Sequence, residues 1–170
     1  MSSGPYAPFK QDYGGLVDFD RLFRERREKA ARAIQQYGLD GVVCCLASNC
    51  KYLAVGQHGT GSDYRFVTFV PGSEPIMHDS GMVARAIKLG IPDARAETAI
   101  AIPPALMPAN PDAYKRQVEK WAAQIKAEFV GAGIADGRIG IDVPDINRIE
   151  ALKSVGLNVT TEGGLAMTSA

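Results

Sequence analysis

The stretch that most constrains this chain runs from Gly38 to Gly59, and within it Val42 to Ala47 is apolar without a polar alternation. Such a run fits a strand covered on both faces, because a half-exposed strand would show a polar residue at every second position. Ser48 then fits a helix N-cap, its hydroxyl able to accept from an orphan backbone N–H. About one turn of helix follows through Lys51 to Leu53, before a glycine-rich loop that holds Gln57, His58 and Asp63. A buried strand that delivers a small polar loop at its carboxyl end is a common way for an α/β sheet to present a site.

The 170 residues are enough for one domain with a core of its own, without metal or disulfide staples. Lysine plus arginine equal aspartate plus glutamate at 19 each, so no net field favours nucleic acid or an anionic membrane surface. No apolar run approaches the roughly 20 residues that span a bilayer. The amino terminus, Met-Ser-Ser-Gly-Pro-Tyr, lacks the basic and apolar regions of a signal peptide, and the expectation is a cytoplasmic protein. Cys44, Cys45 and Cys50 have no metal-ligand or C-x-x-C spacing and read as small buried hydrophobes, with 44 and 45 on opposite faces of the strand.

Residues 1–19 lack helical periodicity and read as an arm. Asp18 or Asp20 can cap a helix whose apolar positions include Phe23, Ala30, Ala33 and Ile34, with a charged outer face and a left-handed stop at Gly38. Beyond the central loop, Tyr64–Val70 and Glu74–His78 flank Pro71-Gly72-Ser73, the signature of an antiparallel hairpin. Ser80 can cap a helix through Leu89, and Thr98–Ile102 fits a short strand.

Asn110-Pro111 opens the clearest helix: a cap residue, proline at the first helical position, then the stripe Tyr114, Val118, Trp121, Ile125 and Phe129. Arg138–Val143 is expected as a strand, Asp145 as the cap of a helix through Val155, and Asn158–Thr161 as a last strand. Gly163-Gly164 starts what reads as a further helix. Helices alternate with strands apart from the hairpin, which predicts an α/β fold: a mixed, mostly parallel sheet of five to six strands between helical layers.

These pieces, in this order, resemble the amino-terminal domain of the creatinase, prolidase and aminopeptidase P family. The resemblance rests on the Arg-rich helix Arg21–Tyr37, on Gly38-Leu39-Asp40, and on Asn49-Cys50-Lys51-Tyr52-Leu53-Ala54-Val55-Gly56. It continues through Arg65-Phe66-Val67, Phe69-Val70-Pro71-Gly72, Glu74-Pro75-Ile76 and Arg138–Asp142, and spans about residues 20–168. Lys51 stands where arginine is usual in the family, and Ala54-Val55 replaces a threonine.

The resemblance implies a three-layer α/β/α domain related to the ribonuclease H-like fold, occupying residues 20–162. Residues 163–170 would then begin the linker to a carboxy-terminal catalytic domain. In the family that domain carries two Asp, one His and two Glu on a pair of divalent metal ions (Mn, Co or Zn), or in creatinases hydrolyses a C–N bond without metal. The amino-terminal domain implied here binds no cofactor. Its partners are its own catalytic domain and a second subunit of a homodimer, not nucleic acid or membrane, and its loop shapes the substrate pocket. On that reading Tyr52, Gln57, His58, Asp63 and Arg65 line the face offered to the catalytic domain, and no residue of this chain is catalytic.

Other chemistry reads weakly. His58 could donate to a substrate carboxylate, and His78, beside Asp79, suits a local hydrogen bond or a helix cap. Asp142 and Asp145 flank Pro144 like a metal pair, but strand-end and N-cap duties account for both. Two alternatives stand beside the domain reading: a free-standing flavodoxin-like small-molecule module with its pocket at 56–65, and a cysteine-based redox protein.

Overall fold

The computed structural model describes residues 18–54, 65–79, 94–95, 109–143 and 145–170. The amino-terminal arm before Asp18, the helix expected over Ser80–Leu89, the strand expected over Thr98–Ile102 and the loop residues Gln57, His58 and Asp63 lie outside the described residues.

In chain order the elements are α1 (Phe19–Gln36), β1 (Gly41–Cys44), α2 (Ala47–Leu53), β2 (Arg65–Phe69), β3 (Ile76–Asp79), β4 (Ala94–Arg95), α3 (Pro111–Gly131), β5 (Arg138–Ile141), α4 (Ile146–Ser154), β6 (Asn158–Thr160) and α5 (Gly163–Ser169). The strands form one six-stranded sheet in the order β4-β3-β2-β1-β5-β6. β1 lies parallel to β5, with Val42 opposite Gly140, and antiparallel to β2, with Val43 opposite Thr68. β2 is antiparallel to both of its neighbours while the other pairings are parallel, so it alone among the described strands runs against the rest. The sheet is therefore mixed and mostly parallel, as the alternation of elements predicts.

β1 sits inside this sheet with all four residues buried. Its side chains part by the two-residue period of a strand. Val43 and Cys45 enter the core beneath α3 and α4 with Trp121, Ile125, Phe129 and Leu152. Val42 and Cys44 enter the opposite core beneath α1, α2 and α5 with Ile34, Leu53, Phe69 and Met167. Three layers result, and burial of apolar surface on both faces holds the strand.

The local signals act where expected. Asp18 accepts from the Arg21 amide and caps α1, and Gly38 beyond its end has φ +64°. Asn110 accepts from the Ala113 amide ahead of Pro111, and all five residues of the expected stripe on α3 are buried. In the hairpin the Ser73 amide bonds the Val70 carbonyl at 3.0 Å, and Gly72 takes φ +88° behind Pro71, as a type II turn requires.

Two boundaries differ from the sequence reading. The first strand ends at Cys44, not Ala47, and Ser48 is no cap: α2 starts after Leu46, with no side-chain bond from its own cap residue. The strand expected to reach Val143 stops at Ile141. Both shifts have one cause, the Asp142 carboxylate, which draws in the amides of Cys45 and Leu46.

α5 meets the sheet backbone to backbone. A Cβ on Gly163 would fall 2.6 Å from the carbonyl carbon of Gly140, and one on Gly140 2.7 Å from the α-carbon of Gly163. Only glycine at both places permits that approach.

Candidate functional site

The strands β1 and β5 lie side by side while the chain leaves β1 toward β2 on one flank and β5 toward β6 on the other. Their carboxyl ends frame the place where open α/β sheets bind ligands. In this protein a side chain of the protein itself stands there. Asp142, directly after β5, accepts from the Cys45 amide at 2.7 Å, the Leu46 amide at 3.0 Å and Asn49 Nδ2 at 2.9 Å. Its carboxylate thus supplies the anion for the amino end of α2, whose amides have no cap within their own segment. Burial raises the Asp142 pKa, and the bonds from Cys45, Asn49 and Leu46 oppose that rise.

Beside it, Asp145 caps α4 by accepting from the Asn147 and Arg148 amides. The buried guanidinium of Arg148 reaches Asp145 at 3.4 Å and lies 5.8 Å from the centroid of the Trp121 ring. Cys45 sits between Asp142 and Arg148. Burial is the larger influence on its thiol and pushes its pKa up to about 12, while burial also raises Cys44 well above the usual thiol range. All three cysteines are buried and none is in a disulfide among the described residues, and burial suppresses the thiolate at Cys44 and Cys45. Among the described residues no group of three or more His, Cys, Asp and Glu is assembled as a metal site requires.

Of the candidates read from the sequence, two lie within the described residues. Tyr52 is half-buried; its hydroxyl donates to the Ala170 carbonyl at 2.9 Å, and the Arg26 guanidinium lies 5.4 Å from its ring centroid. Arg65 opens β2 opposite Asp79, which sets its backbone at the carboxyl edge of the sheet. Arg27 holds the far end of α2, donating from Nε to the Leu53 carbonyl at 3.2 Å and pairing with Glu74 of the hairpin turn. The helix that leads into segment 55–64 is therefore tied at its start by Asp142 and at its end by Arg27.

The helix that His78 was expected to cap lies outside the described residues. The His78 ring is fully buried, stacks on Phe66 at 4.3 Å, and places Nδ1 3.2 Å from Nε2 of Gln124 on α3. The partner is 46 positions away in sequence, so neighbouring residues carry no sign of it.

A feature the sequence did not announce is a set of exposed apolar side chains at the same edge. Leu46 is 42% exposed, Ile146 65% and Leu165 58%. Leu46 shares its amide with Asp142, Ile146 follows Asp145, and Leu165 follows Gly164, whose Cβ position lies 3.4 Å from the Asp142 carbonyl. Among the described residues Val130 is the other large exposed hydrophobe, and it lies on α3.

No protein-family model and no curated protein matches the sequence. Solved structures do match the fold. The N-terminal domain of the cytoplasmic peptidase PepQ from Mycobacterium tuberculosis H37Rv aligns with a TM-score of 0.53 and 18% identity, over 84% of this chain and 98% of that one. The aminopeptidase P (Xaa-Pro aminopeptidase) of Streptococcus thermophilus aligns at 0.53 and 14% identity, over 86% and 98% of the two chains. An Xaa-Pro aminopeptidase of Streptococcus pyogenes aligns at 0.54 and 13% identity, over 87% and 98%. The order of elements, the mixed sheet and these likenesses agree: the chain has the α/β fold of a creatinase/prolidase-type peptidase N-terminal domain.

Proposed function

We propose that this chain is a non-catalytic domain that pairs subunits and shapes the substrate pocket of a creatinase/Xaa-Pro peptidase-type hydrolase. The bond-breaking groups, with or without a dinuclear metal site, belong to a separate catalytic domain. The observation that carries the reading is the apolar set Leu46, Ile146 and Leu165 around the Asp142-anchored edge. Exposed apolar side chains gathered at one place favour contact with another protein surface. The loop residues Gln57, His58 and Asp63, with Arg65, are proposed to reach from this edge toward the partner's cavity.

The flavodoxin-like alternative places its pocket at 56–65, outside the described residues. The redox alternative is disfavoured by three buried thiols.

Sedimentation of the purified chain tests the pairing role. A self-associating species is expected, and Ile146→Asp with Leu165→Asp should convert it to monomer without lowering the melting temperature. A chain that stays monomeric at every concentration sinks the pairing role. Cleavage of Xaa-Pro dipeptides by the same preparation sinks the non-catalytic reading.

A further inference from the structure

Arg26 on α1 is half-buried, and its guanidinium is held by aromatic rings from two helices. The guanidinium carbon lies 5.5 Å from the ring centroid of Phe23, one turn earlier on α1, and 5.4 Å from that of Tyr52 on α2. Both distances fall within the roughly 6 Å over which a cation is drawn to an aromatic ring. The planar group is thereby positioned before any anion arrives, so little rotamer freedom remains to be lost on binding.

What it lacks is a counter-charge. Among the described residues the other buried or half-buried arginines each hold a carboxylate: Arg27 that of Glu74, Arg138 that of Glu162, and Arg148 that of Asp145. Arg26 is the exception, and among the described residues no oxygen accepts from it. The adjoining Glu25 is taken by Arg21, and the Tyr52 hydroxyl is committed to the Ala170 carbonyl. A guanidinium keeps its charge at any working pH and carries several N–H donors in a rigid fork. None of the Arg26 nitrogens is sealed from solvent, so the unused donors can be reached from outside.

From this arrangement we infer that Arg26 anchors a binding site for a small organic monocarboxylate, both carboxylate oxygens on its N–H fork and the apolar body against the Tyr52 ring. The match is geometric, because coplanar oxygens meet coplanar N–H groups in a fork-to-fork pair. A single cation neutralises a monoanion, whereas a dianion would keep an uncompensated charge. The inference does not depend on the pairing role proposed above, since it uses none of Leu46, Ile146 and Leu165.

Titration of the ¹⁵N-labelled 170-residue chain with phenylacetate, followed at the arginine Nε–H signals, tests the site. A saturable shift of the Arg26 signal is expected, with the Tyr52 amide moving beside it and neither moving with phenylacetamide. Arg26→Gln should weaken binding about tenfold or more, because the charge-assisted bonds are lost. Arg26→Lys keeps the charge without the fork and should recover only part of the binding. Arg32→Gln, exposed on the same helix, should leave it unchanged. Should the substituted chains not fold, intermolecular NOEs from the phenylacetate methylene to the Tyr52 ring in the unsubstituted chain decide the matter. Shifts that do not saturate, an equal response to phenylacetamide, or tighter binding of inorganic phosphate overturn the proposal. So do undiminished binding by Arg26→Gln, full binding by Arg26→Lys, a loss at Arg32→Gln as large as at Arg26→Gln, or missing NOEs.

Discussion

α3 and α2 are both helices packed on the central strand, yet they are held in opposite ways. α3 has 21 residues, its own cap in Asn110, proline at its first position and an apolar stripe of period near 3.6. α2 has seven residues, no side-chain cap of its own, and takes the acceptor for its amino end from Asp142, directly after the neighbouring strand β5. Short helices are marginal alone because nucleation is costly, so α2 exists only where tertiary contacts complete it. α3 is a scaffold, and α2 is a fitting bolted to that scaffold at both ends.

The largest test of this contrast is Trp121→Ala. Trp121 is almost fully buried, meets Phe66 edge-on at 5.9 Å and lies beneath Arg148. Its loss should cost about 3–5 kcal/mol in urea unfolding, and every element should unfold together. Separate loss of α2 with α3 intact in that variant breaks the picture of α3 as scaffold.

Asp142→Ala acts on the other partner of the comparison. It orphans two amides and an amide side chain at a buried place, which should cost about 1–3 kcal/mol. Hydrogen exchange should then speed up at Cys45, Leu46 and α2 while α3 keeps its protection; uniform exchange across both helices sinks the claim that Asp142 holds α2 in particular. Its titration has a sign as well. Because burial raises the folded-state pKa, the folded chain keeps this proton to higher pH than the unfolded one. The group's contribution is therefore fullest below the ordinary carboxylate range and is lost as pH rises through the raised value. Asp142→Asn should remove that component of the pH dependence, measured by unfolding from about pH 4 to pH 7.

Gly163→Ala should cost about 1–3 kcal/mol, because its methyl meets the Gly140–Ile141 backbone and α5 must lift. Met167 fluorination with ¹⁹F detection would register the shift; an unmoved signal with unchanged stability refutes the close approach. The smallest effect is expected at Asn110→Ala, about 1 kcal/mol, since α3 loses one cap bond and keeps its packed stripe. A change as large as that at Trp121 contradicts the view that α3 is held by its face.

Much of the architecture can be read from residues near one another. The Asn110-Pro111 start, the Val70–Ser73 turn, the Asp18 and Asp145 caps and the continuous apolar run at Val42 are interactions within a few positions, and each appears in place. The candidate site was less legible. Ser48 has the right chemistry for a cap, but Asp142, 97 positions from Cys45, outcompetes it with two acceptor oxygens. His78 next to Asp79 suggests a local bond, while its ring pairs with Gln124 across the layer.

By itself the sequence determined most of the described helices and strands, though not β4 at Ala94–Arg95, that the central strand is covered on both sides, and hence the fold class. Those follow from periodicity and capping, which act over a turn or a pair of residues. Only the tertiary structure decided that a carboxylate after β5 would anchor the helix after β1, and that Leu46, Ile146 and Leu165 would share one edge. The reason is physical: hydrogen bonding and hydrophobic contact act between neighbours in space, and sheet order, not chain order, makes those residues neighbours.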